Sequence, residues 1–228
     1  MFIAGDDALN AANMYTYCNN NPVMFVDPAG CAVNPLSVIF FCIFVVPGAI
    51  MGFFQNLGFS EDAILRLAES IEYYPFNALN ICTDGTNSGY DDPKWHQDGT
   101  AFFYKVGKLF EYLNPFQVRY VVLPPGYKGN AKLGDIAVLM DFQKLTFSIG
   151  IIGDRGPTAN DYSEVSAAMA WDLGYTKAQA NGLWGPSGNF AVAYTPGTSG
   201  IAIGASTLGG LIKIFRRAGY WLRDYTTL

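Results

Sequence analysis

Two carboxylates stand out by where the sequence puts them. Asp154 closes the apolar run Thr146 to Ile152 within Gly153-Asp154-Arg155-Gly156-Pro157, and Glu164 follows a Gly/Pro/Asn-rich loop near the start of a helical pattern. A strand end and a helix start are rigid supports, and the loop between them lets both acids face one cleft. Carboxyls so placed can hydrolyse an acetal link: one gives a proton to the leaving oxygen, while the other activates water or attacks carbon. The same pair also reads as a turn aspartate beside a glutamate favoured by a helix dipole, an ordinary combination.

Other chemistries lack their parts. The single histidine, His96, has no second histidine with which to form a metal pair. Gly185-Pro186-Ser187-Gly188 and Gly197-Thr198-Ser199-Gly200 miss the spacing of a nucleophile elbow. Cys18, Cys31, Cys42 and Cys82 contain no C-x-x-C pair, and Cys82, the one cysteine that could partner His96, has no basic flank to lower its pKa. Asp84-Gly85-Thr86-Asn87-Ser88-Gly89 opens like a calcium loop, but Trp95 stands where a bidentate Glu is required. The expectation is therefore chemistry with no metal and no cofactor.

The elements that must position these acids follow from patterning. Half of the 228 residues are hydrophobic and 14% are charged, an apolar balance concentrated in the uncharged run Leu36 to Phe54. That run approaches the roughly twenty residues of a membrane span, so it reads either as a membrane-contacting segment or as buried helices broken at Pro47-Gly48. The net charge of -5 excludes a nucleic-acid partner and suits a cationic polymer. Ser60 caps a helix expected to run to about Tyr74. Gln117 to Leu123, Asp135 to Met140 and Leu145 to Ile152 read as strands, the last two as a hairpin; Tyr162 to Leu173 reads as a helix, Phe190 to Tyr194 as a strand and Leu208 to Tyr220 as a final helix. The sum is an α+β fold with a twisted antiparallel, barrel-like sheet and flanking helices.

Two resemblances extend this reading. Asn13-Met14-Tyr15-Thr16-Tyr17-Cys18-Asn19-Asn20-Asn21-Pro22, continued to Asp27-Pro28-Ala29-Gly30, resembles the signature that closes an Rhs-associated core, after which a variable toxin or effector module follows. The stretch from about Leu79 to Leu173 resembles glycoside hydrolase family 75, the chitosanases. The matching pieces are Thr83-Asp84-Gly85, Asp92 to Thr100, Val118 to Gly126, Gly134 to Leu139, Ile152-Gly153-Asp154 and Ser163-Glu164-Val165-Ser166. Cys82 stands where that family has the first aspartate of D-x-D-G, and Ser163 replaces its usual Gly before the glutamate.

The resemblance implies three units, 1–31 as the Rhs tail, 32–57 as the apolar segment and 58–228 as the catalytic domain. It implies Asp154 and Glu164 as the catalytic acids of an inverting hydrolase of β-linked amino-sugar polymers, with Glu164 as general acid and Asp154 as general base. Asp84, Trp95, Gln97, Tyr120, Asp135 and Arg155 are the substrate contacts it suggests, and Trp95, Tyr90, Tyr120 and Trp184 could stack on sugar rings. Delivery by such a carrier further implies a secreted or surface-delivered module, an Rhs shell, an immunity protein, and an envelope glycan as an alternative to chitosan. Two rival readings are a membrane-active toxin using Leu36 to Phe54, and a sugar-binding module without turnover.

Overall fold

The computed structural model describes residues 45–85, 97–156, 162–175 and 184–219, without the side chains of 184 and 185. The Rhs-like segment, the first part of the apolar run, Tyr90 and Trp95 lie outside the described residues. In chain order the elements are helices α1 (Val46–Asn56) and α2 (Glu61–Glu69), and strands β1 (Glu72–Cys82), β2 (Phe103–Val106), β3 (Leu109–Tyr112), β4 (Tyr120–Leu123), β5 (Ile136–Asp141), β6 (Thr146–Arg155) and β7 (Glu164–Ser166). Helix α3 (Ala167–Asp172), strand β8 (Trp184–Thr195) and helices α4 (Gly200–Gly204) and α5 (Leu208–Arg217) complete them.

Six strands close a barrel in the order β1-β7-β4-β6-β5-β8, and β2 and β3 form a separate two-stranded sheet. The barrel is mixed rather than antiparallel as expected, because β1 with β7 and β4 with β6 run parallel. The β5–β6 hairpin forms as read from the sequence, with Ile136 opposite Ile151 and Asp141 opposite Thr146. Closure removes the exposed edges that an open sheet of this apolarity would present.

Alternation along the strands sends side chains to two faces. Leu79, Ile81, Val121, Leu123, Ala137, Leu139, Ile152, Val165, Phe190, Val192 and Tyr194 come from all six strands and make one cluster, the barrel's interior, to which α3 adds Met169 and Trp171. The outer face, with Tyr120, Val122, Val138, Ile149 and Ile151, lies under α1, α2 and α5.

Helix α1 resolves the two readings of the apolar run for its described part. Pro47 sits at its first turn, where a missing N–H costs nothing, so the helix starts at the proline instead of breaking there. Val46, Ala49, Ile50, Phe53 and Phe54 are buried, and the Phe53 ring meets Phe215 of α5 at 5.4 Å between centroids. Among the described residues no helix is long and apolar enough to cross a membrane. The described part of the apolar segment thus belongs to the same core as the barrel.

Two further elements differ from expectation. Helix α2, capped by Ser60 through the Ala63 amide, ends at Glu69, and Glu72 to Cys82 continue as the long strand β1. The helix expected over Tyr162 to Leu173 is divided: Glu164 lies on β7, and Ser166 turns the chain by capping α3 at Met169 while accepting the Tyr120 amide at 3.0 Å. Glu164 therefore owes its position to sheet pairing rather than to a helix dipole.

Candidate active site

The register places the two acids on one row. Strand β4 pairs Val122 with Asp154 on β6, and pairs Val121 with Val165 on the other side. Antiparallel counting then sets Glu164 beside Val122, and β1 continues the row with Asn80 opposite Glu164. Residues abreast on neighbouring strands project to the same face, so Asp154, Val122 and Glu164 share the barrel's outer face, with Val122 and Asp154 buried and Glu164 half-buried. Two strand spacings separate the acids, about 9.6 Å between Cα atoms.

A bulge makes this possible. The β4–β6 pairing shifts between Val121 and Val122, so Gly153 is the extra residue and Asp154 falls abreast of Val122. Only glycine fits there: a Cβ on Gly153 would come within 2.5 Å of Leu113 Cδ1 and 2.6 Å of Tyr120 Cβ. Beyond the bulge, a Cβ on Gly156 would meet Glu164 Oε2 at 3.0 Å and Val122 Cγ1 at 3.1 Å. The Glu164 carboxylate thus reaches across Val122 toward the end of the strand that carries Asp154.

Asp154 is held firmly and largely dehydrated. It is 6% exposed, and its Oδ1 accepts the amides of Ala101 and Arg155, each at 2.8 Å. Burial pushes its carboxyl up to about 6; the two amide bonds oppose the rise and the negative charge of Asp84 adds to it. Glu164 is half-buried.

Cys82, on β1 opposite Ser166 of β7, comes close to Asp154. Its Sγ, an Asp84 carboxylate oxygen and an Asp154 carboxylate oxygen lie within 4.8 Å of one another, and its thiol also feels Glu164. Burial, reinforced by Glu164 and Asp84, pushes that thiol well above its ordinary range, so it stays protonated and unsuited to nucleophilic attack. These same three residues are the described donors that could hold a cation, with the thiol the weakest of them while it keeps its proton.

Of the substrate contacts expected from the sequence, Asp84, Gln97 and Arg155 gather here. Asp84 Oδ1 accepts the Gln97 amide at 2.7 Å, and the Gln97 carbonyl accepts the Gly85 amide, which ties the loop ends together. Arg155 is exposed directly beyond Asp154. Tyr120 is present in a different capacity: its ring is fully buried, so it cannot stack on a sugar, and its hydroxyl donates to the Asp84 carbonyl at 2.8 Å with Cys82 Sγ at 3.4 Å. Asp135 is fully buried and accepts the Lys132 amide through Oδ2 and the Ser199 amide through Oδ1, bracing the entry to β5. Trp95 and the Trp184 side chain lie outside the described residues.

Sequence reasoning missed the Ala101 amide that orients Asp154, the Gly153 bulge and the Val122 floor between the acids. The Gly before Asp154 was the one available signal for the bulge, and nothing local marks Ala101. Compared with known proteins, the chain matches no family model and no curated sequence.

Proposed function

We propose that the chain is a glycoside hydrolase that cleaves a β-linked amino-sugar polymer by inversion, with Asp154 and Glu164 as its catalytic acids. The observation that carries this reading is the row Asp154–Val122–Glu164, which aims two carboxyls from rigid strands to one side with a small apolar residue between them. Inversion calls for about 6.5 to 9.5 Å between the carboxyls, to leave room for a water beside the sugar, and the intervening strand β4 keeps the two backbones apart.

The dehydration of Asp154 bears on the roles. A carboxyl with a pKa of about 6 keeps part of its proton near neutrality, as a group protonating a leaving oxygen must. This favours Asp154 as proton donor and the more exposed Glu164 as the base for water, the reverse of the assignment implied by the resemblance. Asp84 adds negative charge beside the linkage, which attracts an ammonium-bearing sugar and stabilises positive charge developing at the anomeric carbon. As an effector module joined to an Rhs-type carrier, such an enzyme would act on chitosan or on a partly deacetylated envelope glycan.

The test is incubation of the full chain with chitosan and with purified peptidoglycan, with mass analysis of products and NMR of the first anomer released. Sugar release by the wild type, lost in both Asp154→Asn and Glu164→Gln, is the expected result. Absence of release from every amino-sugar polymer overturns the reading.

A further inference from the structure

The β2–β3 hairpin carries an aromatic face that the proposed chemistry leaves unused. Its pairs are Phe103 with Tyr112, Tyr104 with Glu111, Lys105 with Phe110 and Val106 with Leu109, so successive pairs face opposite ways. The Tyr104/Glu111 face is turned inward: Tyr104 donates its hydroxyl to the Ala202 carbonyl at 2.7 Å, and Glu111 accepts the Leu208 amide at 2.7 Å. The Phe103/Phe110/Tyr112 face is turned to solvent. Phe103 is 43% and Phe110 52% exposed, and their rings meet edge to face at 5.1 Å, with Tyr112 at 5.7 Å from Phe103.

The hairpin is tied to the carboxylate site through the backbone. Ala101, whose amide binds Asp154, lies two residues before Phe103, and the Phe102 amide donates to the Gly153 carbonyl at 2.9 Å. The Tyr112 ring lies so close over Gly99 that a Cβ there would come within 2.8 Å of it. Gly99 in turn lies two residues after Gln97, whose amide holds Asp84. A chain of sugars lying over Asp154 has this surface as its next support.

Resting on the glycosidase reading above, we infer that the Phe103/Phe110 face of the hairpin is a stacking subsite for an uncharged, N-acetylated pyranose of the polymer. Pyranose rings offer an apolar C–H face that aromatic surfaces take up without loss of hydrogen bonds at the ring edge. Lys105, exposed and abreast of Phe110, disfavours a free ammonium sugar at this position. Asp84, Asp154 and Glu164 favour one at the cleavage point. The substrate thus carries both kinds of residue, a partly N-acetylated strand rather than a uniform polyamine.

The test is titration of the full chain carrying Glu164→Gln, which binds without turnover, with N-acetylglucosamine oligomers and with glucosamine oligomers. Phe103→Ala and Phe110→Ala are each added to that background, and turnover is measured in parallel with Glu164 intact. Either substitution raises Kd for the N-acetylated oligomers about fivefold to tenfold, Phe110→Trp restores it, and Leu109→Ala, 74% exposed but on the opposite face, leaves it unchanged. Unchanged Kd in both alanine variants, no binding at all, or an equal loss with Leu109→Ala overturns the subsite. So does a change from dimer to monomer on Phe110→Ala, which would assign the face to a second copy. Aromatic-dependent binding by a chain that releases no sugar keeps the subsite and removes the hydrolase reading, so the two failures are distinct.

Discussion

Replacing Asp154 with Asn stabilises the fold at neutral pH while abolishing sugar release. The carboxyl titrates near 3.8 when hydrated and at about 6 in the folded chain, with burial as the main cause. The folded state therefore holds this proton more tightly than the unfolded chain does. The associated stability is fully present below about pH 3.8, drains away as pH rises to about 6, and stays lost above that. At 1.36 kcal/mol per tenfold in proton affinity, the loss is about 3 kcal/mol. Asn carries no charge at any pH and keeps an Oδ1 acceptor for the Ala101 and Arg155 amides, so it escapes the loss without orphaning either donor. Urea unfolding of both proteins between pH 4 and 8 should show near-equal stability at the acid end and a variant more stable by about 3 kcal/mol at pH 7 and above. A stability difference that does not change with pH, or that grows toward acid, would refute the claim that Asp154 is strained by dehydration.

The other predictions concern the scaffold and the rate. With Asp154 as proton donor, kcat/KM falls as pH rises through about 6, and a profile that instead rises there restores the opposite roles. Gly153→Ala forces Leu113 and Tyr120 aside, costing about 1–3 kcal/mol in a urea melt and lowering turnover by displacing Asp154; wild-type values for both would refute the bulge argument. Phe53→Ala costs about 3–5 kcal/mol of stability if α1 is a core helix, and a free-standing membrane segment would show no such cost. Tyr120→Phe leaves the Asp84 carbonyl without its hydroxyl donor, for about 1 kcal/mol of stability and faster hydrogen exchange at the Gly85 amide.

What was legible in the sequence was local. Apolar, strand-forming runs over Asp135 to Met140 and Leu145 to Ile152, joined by the short turn Asp141-Phe142-Gln143-Lys144, specified a hairpin. The Ser60 cap and the acidic first turn behind it located the start of α2, and the apolar stripe of Leu208 onward located α5. Asp154 and Glu164 were identifiable as residues of the right type at element ends.

Long-range pairing decided the rest, since no window of sequence reports which strands become neighbours. The helix read from Ser60 to about Tyr74 stops short, and Glu72 onward is strand, because β7 and β8 supply partners on both edges of β1. Asp135 and Tyr120 have the composition of ligand contacts, yet burial against Ser199 and beneath Asp84 turns them into braces. Asp154 and Glu164 face the same way only because Gly153 adds one residue to β6 and Val122 of β4 comes between them. Sequence sets each side chain's chemistry and its local direction; the register of three strands, closed by burial of both faces, sets which of those directions converge.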